Sequence, residues 1–179
     1  FSSDKRGVVI HIAVDEGQPY TVSALAIETL EAEGAQGEPR PAAPIFPEAE
    51  LLALCDLEPG ARFEQAALER DRGALRDHYG DRGYLSHPSL PPGLAWDFLE
   101  PRLVFDVEHQ TVAVTYRVVQ GRRLKLHEIL FAGSQHTRDR VLRRELSVFP
   151  GEYADLEEIN RSLARIQATG YFRDDLNRL

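Results

Sequence analysis

The sequence predicts an α+β fold built from tandem copies of one module, whose elements follow in the order strand, helix, helix, strand, strand. The main observation is an internal repeat. Residues 8–27, "VVIHIAVDEGQPYTVSALAI", align without gaps on residues 112–131, "VAVTYRVVQGRRLKLHEILF", at an offset of 104 residues (112 − 8). Apolar positions coincide along the alignment, and so do two glycines, Gly17 and Gly121. Similarity at a fixed spacing is the signature of a repeated structural unit.

Two dipeptides recur as well, at shorter offsets. Pro-Gly is found at residues 59 and 150, which are 91 apart (150 − 59), and Gly-Tyr at residues 83 and 170, which are 87 apart (170 − 83). The offset between the two copies is therefore 13 residues longer at the strands than at the Pro-Gly turns (104 − 91). The first copy thus contains about 13 extra residues between its strand and its Pro-Gly turn. Residues 30–47, rich in Glu, Ala, Gly and Pro, account for this insertion, and their composition predicts an exposed loop.

The first copy begins with strands. Residues 8–14 alternate apolar and polar side chains, which predicts a half-buried strand, and no partner strand precedes them. After a turn at Gly17, residues 20–27 predict a second strand with an irregularity near Ser23 and Ala24. The first strand is therefore expected to end one module and the second to open the next.

Two helices and a hairpin complete the first copy. Pro47 suits a first helical position, ahead of a short helix that carries Leu51 and Leu52. Residues 63–85 carry apolar side chains at helical spacing and predict an amphipathic helix that ends at Gly80 or Gly83. After a link over residues 86–101, two alternating runs, 103–107 and 112–118, predict a hairpin that turns near residues 109 and 110.

The second copy repeats the order as far as its second helix. It predicts a strand over residues 124–131, a helix over 137–146 and a helix from about residue 156, with Asp155 and Glu158 as its capping pair. Three regions are thus expected: residues 1–18 as the last strand of a preceding module, 19–121 as a complete module, and 122–179 as a partial one. The chain is expected to be a segment of a longer protein.

Composition and motifs give no indication of an enzyme. The formal charge of −8 disfavours a nucleic-acid surface, and the single Cys55 has no second thiol with which to bind a metal or form a disulfide. The sequence contains no phosphate-binding glycine loop and no nucleophile elbow. Asp77 and Asp81 could share a helix face as an acid/base pair, but their basic neighbours favour an exposed charged face. None of the histidines has the spacing of metal ligands. We therefore predict no catalytic residue, no metal and no cofactor. The histidines are His11, His78, His87, His109, His127 and His136.

Four stretches resemble the POTRA (polypeptide-transport-associated) domains of BamA-like outer-membrane assembly proteins. "VDEGQPYTVSALAI" and "VVQGRRLKLHEILFAG" are similar to that family's last strand, glycine turn and first strand. "LRDHYGDRGYL" and "INRSLARIQATGYF" are similar to its second helix, which ends in Gly-Tyr. The resemblance implies a three-stranded mixed sheet with its last strand at the centre, packed on two antiparallel helices, in the periplasmic part of an outer-membrane protein.

The resemblance also implies a site and partners. The first hairpin strand would be an edge strand that binds polypeptides through its backbone, over Leu103, Val104, Phe105, Asp106 and Val107. Alternation points Leu103, Phe105 and Val107 toward the helices and leaves Val104 and Asp106 outward. The expected partners are unfolded outer-membrane protein clients, accessory lipoproteins and an attached C-terminal membrane barrel outside this segment.

Several alternatives remain open. The chain could belong to a two-partner secretion or TamA-like translocase, or it could be a structural spacer that binds no client. A module hinge is expected at Gln120, Gly121, Arg122 and Arg123, where one sheet ends and the next begins. Arg122, Arg123 and Lys125 could contact anionic lipid headgroups, although an inter-module surface is favoured. The glycines Gly17, Gly83, Gly121 and Gly170 are expected to be structural, at positive φ or at a helix end.

Overall fold

A computed structural model describes residues 10–13, 17–32, 38–87, 90–91, 93–132 and 138–170, and it confirms the α+β class. Residues 10–13 of the predicted strand 8–14 belong to no strand, and the rest of that strand lies outside the described residues. The elements are β1 Thr21–Glu31, β2 Arg40–Pro41, α1 Glu48–Leu52, α2 Gln65–Gly80, β3 Asp97–Asp106, β4 Thr111–Gln120, α3 Asp139–Arg143 and α4 Leu156–Ala168.

The strands β1 to β4 form one sheet in the order β2-β1-β4-β3. β4 lies between β1, to which it is parallel, and β3, to which it is antiparallel. The three predicted strands and the central place of the last one are thus confirmed. The loop predicted over residues 30–47 is wrong at its start, because β1 continues to Glu31, and at residues 40–41, which form β2 and pair with β1.

The core lies between one face of this sheet and the helices α1 and α2. Alternate residues of β4 supply the sheet side, and all of them are at most 1% exposed: Val112, Val114, Tyr116 and Val118. Leu51 of α1 and Leu68, Leu75 and Tyr79 of α2 lie in the same cluster. Trp96, which comes from the predicted link, stacks on Tyr79 with ring centroids 5.4 Å apart. An aromatic pair of this kind adds to the stabilisation from apolar burial.

Two irregularities shape the strands. The register of β1 against β4 shifts between Val22 and Ala24, at the position predicted from the sequence. β3 begins at Asp97, earlier than the expected residue 103, and its register shifts between Leu99 and Arg102. Pro101, which has no N–H to donate, lies inside that bulge, where a strand tolerates proline.

Glycine ends α2 as predicted. Gly83 has φ of 91°, its N–H donates to Gly80 O (3.1 Å), and Tyr84 N donates to Tyr79 O (3.0 Å). This pair of bonds is the Schellman arrangement that terminates a helix. Gly121 has a different role from the one expected, because it is not at positive φ. A Cβ at Gly121 would lie 2.4 Å from the Leu94 carbonyl oxygen, so close backbone approach requires glycine there.

We call residues 19–121 the first unit, and the residues from 122 onward reproduce its turn bonds. In the first unit Val22 N donates to Ala61 O, Gly60 N to Val22 O and Phe63 N to Tyr20 O. At offsets of 104 and 91, the equivalent bonds run from Leu126 N to Glu152 O, Gly151 N to Leu126 O and Ala154 N to Leu124 O. Gly60 and Gly151 match as well, with φ of 91° and 94°. We call residues 122–170 the second unit.

Two predictions for the second unit need correction. Residues 124–131 form no strand beyond a single bridge between Lys125 and Tyr153, and none of the described strands pairs with them as β4 pairs with β1. α3 spans Asp139–Arg143 rather than residues 137–146, and residue 137 lies outside the described residues. The predicted N-cap of α4 is confirmed, since Asp155 Oδ1 accepts from Glu158 N at 2.9 Å.

Candidate polypeptide-docking edge

The two ends of the sheet differ in how the outward side of the strand there is covered. The outer side of β1 is occupied along its length: Val22 N donates to Ala61 O, Ile27 N to Glu48 Oε1 (3.1 Å), and Thr29 O accepts from Ala42 N. β3 lies at the opposite end of the sheet, and among the described residues no strand pairs with its outer side. β3 is therefore the edge at which another strand could add.

The hydrogen bonds around the hairpin fix which backbone groups of β3 face outward. Thr21 N donates to Gln110 O (3.0 Å), so the Gln110 carbonyl points toward β1. In a trans peptide the next N–H points the opposite way, and no described peptide bond is cis. The N–H of Thr111 therefore points away from β1 and toward β3.

The register of β3 against β4 then gives the direction of the backbone groups of the other β3 residues. Thr111 pairs with Asp106, and bonded pairs alternate with non-bonded pairs in an antiparallel ladder. Arg102, Val104 and Asp106 therefore turn their N–H and C=O groups toward β4. Leu103 and Phe105 turn theirs toward the open edge, where they offer two donors and two acceptors.

Both ends of this stretch are closed by local structure. The bulge at Pro101 interrupts the ladder on one side. On the other side the Asp106 carboxylate accepts from the amides of Glu108 and His109, each at 3.0 Å, and lies 2.8 Å from His109 Nδ1. The His109 amide and then its ring hold the pKa of Asp106 below its ordinary value. The open stretch is therefore short, and Asp106 holds the hairpin turn rather than facing a partner.

The side chains along the edge are partly apolar. Leu103 packs on the core, whereas Phe105 is 47% exposed. The Phe105 ring makes edge-on contacts with the rings of Tyr20 and Phe63, at centroid distances of 5.0 and 6.2 Å. Val104, on the other face, is 58% exposed. Val107, which was expected to point toward the helices, lies past the end of β3 and is 74% exposed. Tyr20 and Phe63 were not singled out from the sequence, because their contact with Phe105 joins three distant segments.

The four predicted hinge residues make contacts with the first unit. The Gln120 side chain accepts from Ile45 N (2.7 Å) and donates to Ala43 O (2.8 Å). Arg122 N donates to Leu94 O, and Arg123 Nε donates to Arg82 O (2.7 Å). The Arg123 guanidinium also lies 3.7 Å from the centre of the Tyr153 ring in the second unit.

A buried carboxylate in the core was missed by sequence reasoning. Asp71 is 1% exposed and accepts hydrogen bonds from Asp56 N (2.5 Å), Leu57 N (3.3 Å) and the Tyr116 hydroxyl. Burial, and then this bond, raises the pKa of Tyr116. Ser162 stands 91 residues later and accepts in the same way from Ser147 N (3.0 Å). The Pro-Gly offset could have identified both residues, since it relates Asp71 to Ser162.

The described residues form no group of three or more acidic, histidine or cysteine side chains able to hold a metal ion. His78 is buried, and its pKa is lowered by burial and then by Arg82. His136 lies outside the described residues. The expectation that Asp77 and Asp81 form one exposed charged face is wrong for Asp81, which is half-buried and accepts from Glu157 N in the second unit (3.0 Å).

This architecture defines a class of protein: repeated modules in which two helices cover one face of a small mixed sheet with an open edge strand. The chain belongs to the POTRA family. The model of that family, described as "Surface antigen variable number repeat", matches residues 43–121 and 124–178, more than half of the chain. In the described part of the chain, no helix combines the length and apolar character needed to span a membrane.

Several relatives and solved structures are similar to the chain. It is 28% identical over 171 residues to the outer membrane protein assembly factor BamA of Neisseria meningitidis, covering 96% of this chain and 19% of the relative. The corresponding protein of Nitratidesulfovibrio vulgaris is 25% identical over 173 residues, with 94% and 19% covered. The crystal structure of Haemophilus influenzae BamA POTRA3-5 superposes with a TM-score of 0.65 at 22% identity, covering 91% of this chain and 59% of that one. The chain thus spans about a fifth of the length of these curated relatives.

Proposed function

We propose that this chain is a non-enzymatic docking segment in the periplasmic part of an outer-membrane protein assembly factor. It binds client polypeptides or partner subunits by adding one of their strands to β3. The observation that carries the proposal is the asymmetry of the sheet: the outer side of β1 is occupied, whereas Leu103 and Phe105 direct their backbone groups outward on β3. Similarity to BamA proteins over nearly the whole chain supports the setting.

The strength of such docking follows from the short open stretch. Four backbone hydrogen bonds at about 0.5–1.5 kcal/mol net each give roughly 2–6 kcal/mol. Association costs about 4–15 kcal/mol in lost translational and rotational freedom. Burial of the exposed part of Phe105 adds to the favourable side. A single module therefore binds weakly, and several modules in series are needed to retain a client.

The partners that fit this edge are extended chains. Unfolded outer-membrane protein clients offer strands with free backbone groups, and accessory lipoproteins can dock in the same way. A membrane barrel attached beyond this segment would receive the clients. Nucleic acid does not fit a chain with a formal charge of −8. The predicted module hinge is the pivot between the two modules, and it consists of Gln120, Gly121, Arg122 and Arg123.

Backbone docking is tested by proline at the outward-facing position. Phe105→Pro removes both the ring and the outward N–H, whereas Phe105→Ala removes the ring alone, so the difference between the variants isolates the N–H. We expect an extended outer-membrane-protein peptide to bind Phe105→Pro more weakly than Phe105→Ala in an NMR titration. Circular dichroism first verifies that both variants remain folded. Equal affinity of the two folded variants would contradict strand addition and favour a spacer that binds no client.

A further inference from the structure

The end of α2 contains two residues that are unfavourable for α2 itself. Gly80, its last residue, has a lower helix propensity than alanine. Asp81, the C-cap, places a carboxylate at the end of the helix dipole that favours cations. Local choices that conflict with their own element are expected where another requirement prevails.

α4 of the second unit supplies that requirement. A Cβ at Gly80 would lie 2.7 Å from Leu156 Cδ2 and 3.0 Å from Leu156 Cβ, so glycine permits the close approach of the two helix ends. The Asp81 carboxylate accepts from Glu157 N at 3.0 Å, in the first turn of α4. That turn thus has two carboxylate acceptors, Asp155 from its own N-cap and Asp81 from the other unit. The amides of the first helical turn have no partner within the helix, and the Asp81 oxygen supplies an acceptor for one of them.

A second contact of the same kind lies beside the first. Gly83 sits so near the second unit that an added Cβ would be 3.1 Å from Ala154 O, and Leu124 N donates to Gly83 O at 2.8 Å. The two units therefore meet along the end of α2, where Arg123 Nε of the pivot also donates to Arg82 O at 2.7 Å.

We propose that this helix-end joint, formed by Gly80 and Asp81 of α2 with Leu156 and Glu157 of α4, sets the angle between the two units. The pivot residues connect the units, and the joint fixes one orientation among those the pivot permits. Because the joint is made of side chains and helix ends rather than of the link, single substitutions in α2 or at its C-cap can change the angle without touching residues 120–123.

The experiment measures the distance between the units in the full chain. Cys55→Ala removes the native thiol, and Ala66→Cys in α2 and Ala164→Cys in α4 place spin labels at exposed helical positions. Pulsed electron paramagnetic resonance then gives the distribution of label-to-label distances. We expect a single narrow distribution for the parent protein.

Gly80→Leu should shift the mean distance by about 2 Å or broaden the distribution, because helix–helix separations follow the side chains at the contact. Gly73→Leu is the matched control in the same helix, since a Cβ at Gly73 meets nothing within 4 Å. Asp81→Ala should broaden the distribution, whereas Asp81→Asn, which keeps an acceptor oxygen, should leave it narrow. An unchanged distribution in folded Gly80→Leu and Asp81→Ala would overturn the joint and leave the link in control of the angle. Loss of peptide binding at β3 would be a separate result, because neither variant touches that edge.

Discussion

Among single residues, Asp71 is expected to have a large effect on stability. Its carboxylate joins the turn after α1, through the amides of Asp56 and Leu57, to the central strand, through the Tyr116 hydroxyl. A buried polar network of this kind is stabilising only while each member keeps its partners. Ser162 serves the second unit in the same position but reaches only the turn and helix residues around it.

Asp71→Ala should lower the free energy of unfolding by about 3 kcal/mol, because it leaves the buried Leu57 amide, the partly buried Asp56 amide and the Tyr116 hydroxyl without their acceptor. Asp71→Asn keeps one oxygen for the amides and should cost less. Tyr116→Phe removes only the hydroxyl and should cost about 1 kcal/mol in the wild-type background. Urea unfolding measures all three values. If Asp71→Ala were as stable as Asp71→Asn, the carboxylate would not be a structural link.

At the scale of one element, the two faces of the β3 backbone predict opposite responses to proline. The N–H of Val104 faces β4, so Val104→Pro loses a ladder bond, whereas the N–H of Phe105 faces the open edge. We expect Val104→Pro to be less stable than Val104→Ala by about 1–3 kcal/mol. Phe105→Pro and Phe105→Ala should differ less in urea unfolding. A larger proline penalty at residue 105 than at residue 104 would mean that the register faces the other way.

The sequence predicted which elements the first unit contains better than it predicted where each element begins and ends. Alternation and the internal repeat located β1, β3, β4 and α2, because buried faces impose a period on apolar residues. The repeat could not reveal that residues 124–131 lack a strand, since a strand forms only where another strand pairs with it, and none of the described strands pairs with these residues. It also could not place Phe105 beside Tyr20 and Phe63, or Asp81 beside Glu157, because these contacts arise only after the elements have packed.

For the whole molecule, the helix-end joint implies that the angle between the units depends on pH. Asp81 borders a cavity of about 480 Å³ together with Asp77, Leu156, Glu157, Asn160 and Arg161. Burial, and then the charges of Asp155, Glu157 and Asp77, raises the pKa of Asp81 above its ordinary value of 3.8, against the opposing effect of the Glu157 amide. Arg161 is engaged by Glu157 and Glu158 and offsets this repulsion only in part.

The sign of the pH effect follows from linkage. If closing the joint raises the pKa of Asp81, the closed form binds the proton more tightly, and acidification favours it. We expect the label-to-label distance distribution of the parent, a single narrow peak at neutral pH, to narrow further as the pH falls toward the raised pKa of Asp81, and to return to its starting width as the pH is restored. Asp81→Asn resembles the protonated side chain, so it should give a narrow distribution whose width does not change over this range. The Gly73→Leu protein should follow the parent. A distribution that broadens on acidification while circular dichroism stays constant would show that the ionised carboxylate holds the joint closed, and that its attraction for the α4 amide exceeds the repulsion from the neighbouring acids.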